Sequence, residues 1–271
     1  MRNKLVKGDT GADVRDLQAR LISAGYSVEH DGWFGDNTEA AVREFQRRVG
    51  LVADGIAGPK TLSVLQLGQR PNHQLLAQAD INAAAEALGV QVAALMAVNE
   101  VESRGEGFLP GGPPVVLFER HVMHKLLAAA GQDAAALAAR YPDLVNSKRG
   151  GYRGGAQEWY RLNLARQIDQ AIADESASWG AFQIMGYHWR ALGYASIGDF
   201  VSAMSRNEAA QLDAFVRFIL ADANLHKALK ARKWADFAKG YNGPAYKENL
   251  YDTKLQRAYE RHAAAGMAQA A

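Results

Sequence analysis

The chain has 271 residues, 48% of them hydrophobic and 22% charged, with a formal net charge of +2. That apolar share is ample for a packed core and excludes a disordered chain, and the near balance of charge argues against nucleic acid as the main partner. No cysteine is present, which excludes a disulfide framework, thiol chemistry and a zinc ribbon.

The opening residues, Met1 to Val14, lack the apolar core of a signal peptide, and no apolar run approaches the ~18 residues that a membrane span needs. The expectation is synthesis in a cytosol, without stable membrane insertion and with any export supplied by another protein. Length and patterning predict two domains, 1–67 and 80–271, joined by a linker over 68–79. The linker is marked by Gly68, Pro71, Asn72 and His73.

The first predicted helix has Thr10 as its cap and Val14, Leu17, Leu21 and Ile22 on one face. An internal repeat follows. Asp31-Gly32-Trp33-Phe34-Gly35-Asp36-Asn37-Thr38 recurs as Asp54-Gly55-Ile56-Ala57-Gly58-Pro59-Lys60-Thr61, both of the form D-G-x-x-G-x-x-T. Each copy opens a helix. Asp36 with Glu39 suggests a capping box in the first, and Gly58 before Pro59 suggests a proline-led start in the second. The middle helix carries Ala41, Val42, Phe45 and Val49 inward and ends at Gly50. Three short helices around one small core result.

Residues 4–66 resemble the three-helix peptidoglycan-binding domain appended to many cell-wall hydrolases. The likeness rests on Lys7-Gly8-Asp9, Gly11, Leu17-Gln18, Gly25-Tyr26, both repeat copies and Phe45-Gln46. Most of these positions maintain a fold. Trp33, Phe34, Asp36 and Arg43 are the surface candidates for wall contact. The aspartates lack the alternating spacing and terminal Glu of a calcium loop.

From Asp80 onward the pattern predicts helices over 80–89, 91–103, 120–130, 132–140, 156–175, 198–205, 207–230 and 232–239. Pro113 to Phe118 reads instead as a short strand or hairpin arm. Within Val92 to Ser103, the helical rows carry Val92, Leu95, Val98 and Glu102 together, with Asn99 beside them, and send Glu100 roughly the opposite way. A carboxyl at the end of a buried face resists ionisation, so the pKa of Glu102 is expected to rise, as a general acid requires. The plainer alternatives are a helix-end cap or an ion pair with Arg104.

Glu102-Ser103 after an apolar helix resembles the catalytic Glu-Ser of goose-type lysozymes and lytic transglycosylases. Ser178 to Gly186 (SWGAFQIMG) resembles their S-x-G-x-x-Q-I-M segment, and Tyr241-Asn242-Gly243-Pro244 their Y-N-x-G segment. Val101-Glu102-Ser103 followed by Gly107-Phe108 and by Leu117 to His121 is similar to one subgroup, the N-acetylmuramidase domain of modular phage endolysins of Gram-negative hosts. That resemblance, over about residues 80–260, implies a mainly α, lysozyme-like α+β domain with a short β-hairpin. It implies cleavage of the β-1,4 bond between N-acetylmuramic acid and N-acetylglucosamine with no cofactor. Catalysis would fall to Glu102, and Ser178, Gln183, Tyr241 and Asn242 would line the substrate. A monomer acting on periplasmic peptidoglycan, with a separate holin-type permeabilising protein, completes the expectation.

The second carboxylate is open among Glu106, Glu119, Asp174 and Glu175. Glu119 is the best placed, with pairing to Arg120 or capping of the next helix as its plainer roles. A mechanism with Glu102 alone would leave an anhydro-sugar, as lytic transglycosylases do. Glu119, His121 and His124 form an E-x-H-x-x-H cluster that lacks the H-E-x-x-H spacing of a zinc peptidase or amidase. Trp179, Tyr187 and Trp189 offer faces for sugar stacking, with core packing the plainer role for each. The loop 147–155, SKRGGYRGG, offers positive charge to an anionic wall.

Overall fold

The helices of the first segment form because their apolar residues recur at helical spacing and close on one another. α1 (Ala12–Ser23), α2 (Asp36–Val49) and α3 (Pro59–Leu67) enclose Leu5, Val14, Leu17, Leu21, Phe34, Val42, Phe45 and Ala57. The structure, a computed structural model, describes residues 4–68, 74–103, 106–110 and 112–270. The predicted linker residues 69–73 and Arg104 therefore lie outside the described residues.

Two helix starts differ from expectation. Gly11, not Thr10, holds the N-cap position of α1, while Thr10 bridges to Trp33. Gly35 is the N-cap of α2, so Asp36 is already helical, and Glu39 turns to Arg43 in place of a capping box. Gly58 and Pro59 open α3 as predicted, and Gly50 ends α2 in the left-handed region at φ 81. Ile22, expected inward, is 45% exposed.

The repeat has a shared internal cause. In the first copy the Gln18 amide donates to Asp31 Oδ1 (2.8 Å), Trp33 O (3.0 Å) and Thr38 Oγ1 (3.2 Å), and its Oε1 accepts from Gly32 N (2.8 Å). In the second, Gln46 donates to Asp54 Oδ1 (2.7 Å), Ile56 O (3.0 Å) and Thr61 Oγ1 (3.0 Å) and accepts from Gly55 N (2.9 Å). A buried glutamine thus satisfies each turn from within. The copies differ in what covers them. Backbone and glutamine hydrogen bonds hold the Asp31 carboxyl below its usual range, whereas burial pushes Asp54 up.

The larger unit runs through α4 (Gln78–Leu88), α5 (Val92–Glu102), β1 (Val116–Phe118), α6 (Arg120–Ala129), α7 (Ala134–Arg140), α8 (Ala156–Arg166) and α9 (Gln170–Glu175). It continues through β2 (Ala177–Trp179), β3 (Ile184–Met185), α10 (Ile197–Met204), α11 (Glu208–Ala221), α12 (Ala223–Lys230), α13 (Trp234–Asn242) and α14 (Tyr251–Ala270). β1 pairs antiparallel with β2, placing Leu117 opposite Ser178, and β2 pairs antiparallel with β3, placing Trp179 opposite Ile184. The predicted strand is therefore one edge of a three-stranded sheet, and the hairpin belongs to the Ser178 to Met185 stretch.

Two helices expected to be continuous are broken by aspartates. Asp169 caps α9 by accepting from Ile172 N, and Asp222 accepts from Asn224 N and Leu225 N to start α12 directly after α11. An N-capping carboxylate satisfies orphan donors that a continuous helix would not have, so the break is favoured locally. α14 was not anticipated; it buries Leu255 and Ala258 and packs along α5 and α13. Among the described residues no single helix is long and apolar enough to cross a membrane.

The two cores adjoin. Leu75 packs on the smaller core and Leu76 lies in the larger, so the larger unit starts before the expected residue 80. Ala53 N donates to Gln78 Oε1 at 3.0 Å across the boundary, and Lys60 Nζ reaches the Glu208 carboxylate at 2.6 and 2.7 Å.

Candidate active site

α5 is built from alanine, leucine, methionine and valine with no glycine or proline to interrupt it, and buries Ala94 to Val98. It ends where Ser103 turns extended, leaving Glu102 in the last turn. There the carboxyl is screened from water and faces the negative end of the helix dipole. Burial pushes its pKa up to about 7, against the opposing pull of the Asn242 hydrogen bond and the Lys254 charge. Glu100, two positions earlier, shows the reverse. Burial alone would raise it, but His262 (3.0 Å) and Arg261 (2.6 Å), with Lys4 more distant, bring it down to about 2. One helix thus presents a proton-holding acid on one face and an ion-paired carboxylate on the other, as the spacing implied.

Glu102 opens into a cleft of about 460 Å³ whose walls include Gln183, Tyr187, His188, Tyr241 and Asn242. Asn242 closes α13 and donates from Nδ2 to Glu102 Oε1 at 2.9 Å. With that oxygen accepting, Oε2 is the oxygen that Asn242 leaves free. Tyr241 donates its hydroxyl to Phe182 O at 2.8 Å, and its ring packs on Phe215, Phe218 and Phe237. Burial and the nearby Glu102 push its pKa upward, so the phenol stays protonated. Its proton is committed to the fold, leaving the oxygen as an acceptor.

Gln183 sits at the end of the β2–β3 turn with φ 52, a left-handed conformation that costs a non-glycine residue about 1 kcal/mol. Ser178 Oγ donates to its Oε1 (2.9 Å), and its Nε2 donates to Gly180 O (2.9 Å). One amide proton and one lone pair remain for a ligand. Ser178, read from the sequence as lining the substrate, is buried behind Gln183 and does not line the cleft. Its part is to orient that amide. Gly180 is required where it stands, at φ 72, because a Cβ would lie 2.5 Å from Gln211 Cδ.

Among the described residues lining the cleft, Glu102 is the one carboxyl. Glu119 lies 5% exposed at the start of α6, where Tyr152 donates to its Oε2 (2.7 Å), His121 Nδ1 lies 3.1 Å away and Arg149 at 3.5 Å. It neither pairs with Arg120 nor makes a side-chain cap, in contrast to its plainer expected roles. Arg120 instead clamps the basic loop through Lys148 O and Pro142 O, with Gly151 against its guanidinium. Glu119 reaches the cleft only by its charge, which together with burial pushes the Tyr187 phenol upward. Asp174 is held by Arg166 (2.8 Å), Glu175 accepts from Trp189 Nε1 (2.7 Å), and Glu106 is exposed. No group of three or more His, Asp or Glu among the described residues is gathered to hold a metal ion.

Of the stacking candidates, Tyr187 lines the cleft and is 44% exposed, whereas Trp179 is wholly core. Sequence reasoning missed His188, Tyr251 and Lys254. Burial lowers the pKa of His188, which packs beside Tyr187 and Phe218. Lys254 and Tyr251 belong to α14, and only their tertiary placement brings them to Glu102 and the cleft wall. In the smaller unit Phe34 is fully buried and Arg43 is 7% exposed, bonded to Ala53 O and Glu39, so neither is a surface contact. Trp33 (57% exposed) and Asp36 remain on the surface.

A model of the N-acetylmuramidase family matches residues 91–263, well over half of the chain, and a model of a peptidoglycan binding domain matches residues 10–65. Curated relatives align over about sixty residues of this chain, a length like that of the peptidoglycan-binding match. A zinc D-Ala-D-Ala carboxypeptidase of Streptomyces albus G is 47% identical over 62 residues, 22% of this chain and 24% of that protein. An N-acetylmuramoyl-L-alanine amidase of Bacillus licheniformis is 42% identical over 64 residues, 22% of this chain and 18% of the relative. The chain spans about a fifth of the length of the curated relatives it matches. A crystal structure of a Burkholderia AP3 phage endolysin superposes with a TM-score of 0.92 at 57% identity, covering 96% of this chain and 99% of that one.

Proposed function

Because the chain belongs to the N-acetylmuramidase family, we propose that it is a peptidoglycan-degrading endolysin, a lysozyme-type glycoside hydrolase. It cuts the β-1,4 bond between N-acetylmuramic acid and N-acetylglucosamine. The observation that carries this reading is Glu102, a carboxyl with a pKa of about 7 opening into a cleft. Glu102 Oε2 protonates the glycosidic oxygen as the bond lengthens, and positive charge develops on the sugar ring. Gln183 and Asn242 fix the amide and hydroxyl groups of the substrate, and the Tyr241 oxygen accepts from a sugar hydroxyl. Glu119 has the second part: its carboxylate acts on the cleft at Tyr187 through charge alone and steadies the oxocarbenium-like sugar.

The absence of a second carboxyl among the described cleft-lining residues favours one alternative, a lytic transglycosylase acting on the same bond. Mass spectrometry of glycan ends released from purified sacculi separates the two. Reducing muramic-acid ends are the expected products; anhydromuramic ends would establish the transglycosylase, and cut peptides with intact glycan would overturn the glycosidase reading. The pH profile has a fixed sign. An acid that must carry its proton loses activity as pH rises through its pKa, so kcat/KM should fall on the alkaline side with a midpoint near 7. A flat profile from pH 6 to 9 would remove Glu102 from the acid role.

The domain assignment is 1–67 for wall binding, 68–79 for the linker and 80–271 for catalysis, with Leu76 of the linker already in the larger core and Gln78 opening α4. Relatives that match over only about sixty residues, the length of the peptidoglycan-binding match at 10–65, carry the names of enzymes with different wall targets, which supports anchoring as the task of this segment. Trp33 is the contact we assign to it. Its indole lies over Gly35, where a Cβ would come within 3.3 Å of the ring, and its other surface is open. Trp33→Ala should weaken co-sedimentation with sacculi about tenfold, the equivalent of ~1.4 kcal/mol of stacking, with the cleavage rate on soluble glycan unchanged. The enzyme is made in the cytoplasm of a phage-infected host, acts as a monomer on the periplasmic wall and depends on a separate holin-type protein for access.

A further inference from the structure

Glu208, the first residue of α11, is 2% exposed, and its carboxylate gathers three separate parts of the chain. Lys60 of the second repeat copy donates to both oxygens (2.6 and 2.7 Å), Leu76 N donates to Oε2 (2.8 Å) and Gly107 N donates to Oε1 (2.9 Å). Gly107 follows Glu102 by five positions in the sequence. A Cβ there would fall 2.2 Å from Gln211 Oε1 and 2.7 Å from Glu208 Cγ, so the backbone is seated against both side chains. Gln211, one turn along α11, donates to Gly107 O (3.1 Å) and accepts from Ala181 N (2.8 Å), in the turn that presents Phe182 and Gln183 to the cleft. One face of α11 therefore fastens Gly107 and the turn that carries Gln183.

Lys60 is the cation for this hub, and it comes from the other domain. A carboxylate so enclosed keeps its place only while a countercharge is present, and removing the partner leaves an uncompensated buried charge. We propose that Lys60 is a positioning residue for glycosidic cleavage: through Glu208 it holds the Gly107 loop, so the wall-binding domain supplies part of the catalytic architecture besides anchoring it. The proposal rests on the muramidase reading for its catalytic consequence but not for the structural coupling itself.

The test uses the full chain with Lys60→Met, Lys60→Gln and Lys60→Arg. On soluble glycan strands, Lys60→Met should lose about tenfold in kcat with KM changed less than twofold, since small displacements of positioned groups cost rate more than affinity. Lys60→Arg should recover at least half of the wild-type rate, and sedimentation with sacculi should be unaffected in all three. Amide hydrogen exchange of Gly107, read by NMR, should quicken about tenfold in Lys60→Met and return in Lys60→Arg. Lys60→Gln, which retains a neutral donor, serves in the same measurements if the methionine variant does not fold. Unchanged Gly107 exchange overturns the coupling whatever the activity. A full rate in the methionine or glutamine variant, or a loss confined to KM or sacculus binding, overturns the catalytic part. Wild type that releases no new glycan ends would count against the muramidase reading alone, and the exchange result would still decide the coupling.

Discussion

Glu102→Gln is expected to lower glycan cleavage by about 10³-fold, within the range that a positioned general acid contributes. Glutamine keeps an oxygen for Asn242 to donate to, so the cleft should hold its shape and bind substrate while lacking the proton to transfer. The same substitution should stabilise the fold in alkaline solution. Glu102 rises from 4.5 to about 7 in the folded protein, so between those values the native state holds a proton that the unfolded chain has released. Stability is therefore full below about pH 4.5, declines as pH rises to about 7 and stays reduced above it, by about 1–3 kcal/mol. Glutamine carries no such penalty. Thermal unfolding of wild type and variant should nearly coincide at pH 4 and separate in the variant's favour at pH 8. A variant within tenfold of the wild-type rate, or less stable than wild type at pH 8, would refute this role.

Gly186→Ala should cost more than about 3 kcal/mol or prevent folding altogether. A Cβ at this position would sit 2.1 Å from Asp174 O and 2.9 Å from Glu175 Cα, both backbone atoms. That carbonyl also accepts from Trp179 Nε1 at 3.1 Å, so it is fixed from a second side. Relief would require α9 to move away from the 3-10 turn that follows β3, which the Asp174–Arg166 ion pair opposes. Gly58→Ala is the matched control. Its φ is −85 and nothing lies within 4 Å of the added methyl, so the change should cost no more than about 1 kcal/mol, the loss of a glycine at the N-cap of α3. Chemical denaturation of the two variants tests the contrast; equal losses would show that the close approach at Gly186 relaxes at little cost.

The sequence made legible what is set by neighbours along the chain. Helical rows placed Glu102 and Glu100 on opposite faces, and proline after Gly58 marked the start of α3. Burial by distant segments was not legible in the same way. Phe34 and Arg43 looked like surface residues beside a turn, yet the first closes the small core and the second bonds to Ala53 O. Asp169 and Asp222 read as interior helical positions because a carboxylate signals a cap only once the chain has turned. The company of Glu119 depends on Tyr152 and Arg149, some thirty residues away, which no local pattern connects to it. Ser178 shared a motif with Gln183 and was read as its equal, although β2 is buried along its whole length and Ser178 meets only the back of that amide.

The two turns closed by Gln18 and Gln46 have unequal freedom to change. The outward positions of the first copy, Trp33 and Asp36 among them, meet solvent, so mutation there alters only what the surface can grip. In the second copy Ile56, Pro59 and Lys60 border a cavity of about 160 Å³ shared with Ser103, Phe182 and Glu208 of the enzyme. A chimera made by grafting a foreign anchor onto this lytic unit must therefore keep that second turn as the docking plug. The first turn is the interchangeable end, where the exposed Trp33 and Asp36 can be exchanged without touching the seam with the lytic unit.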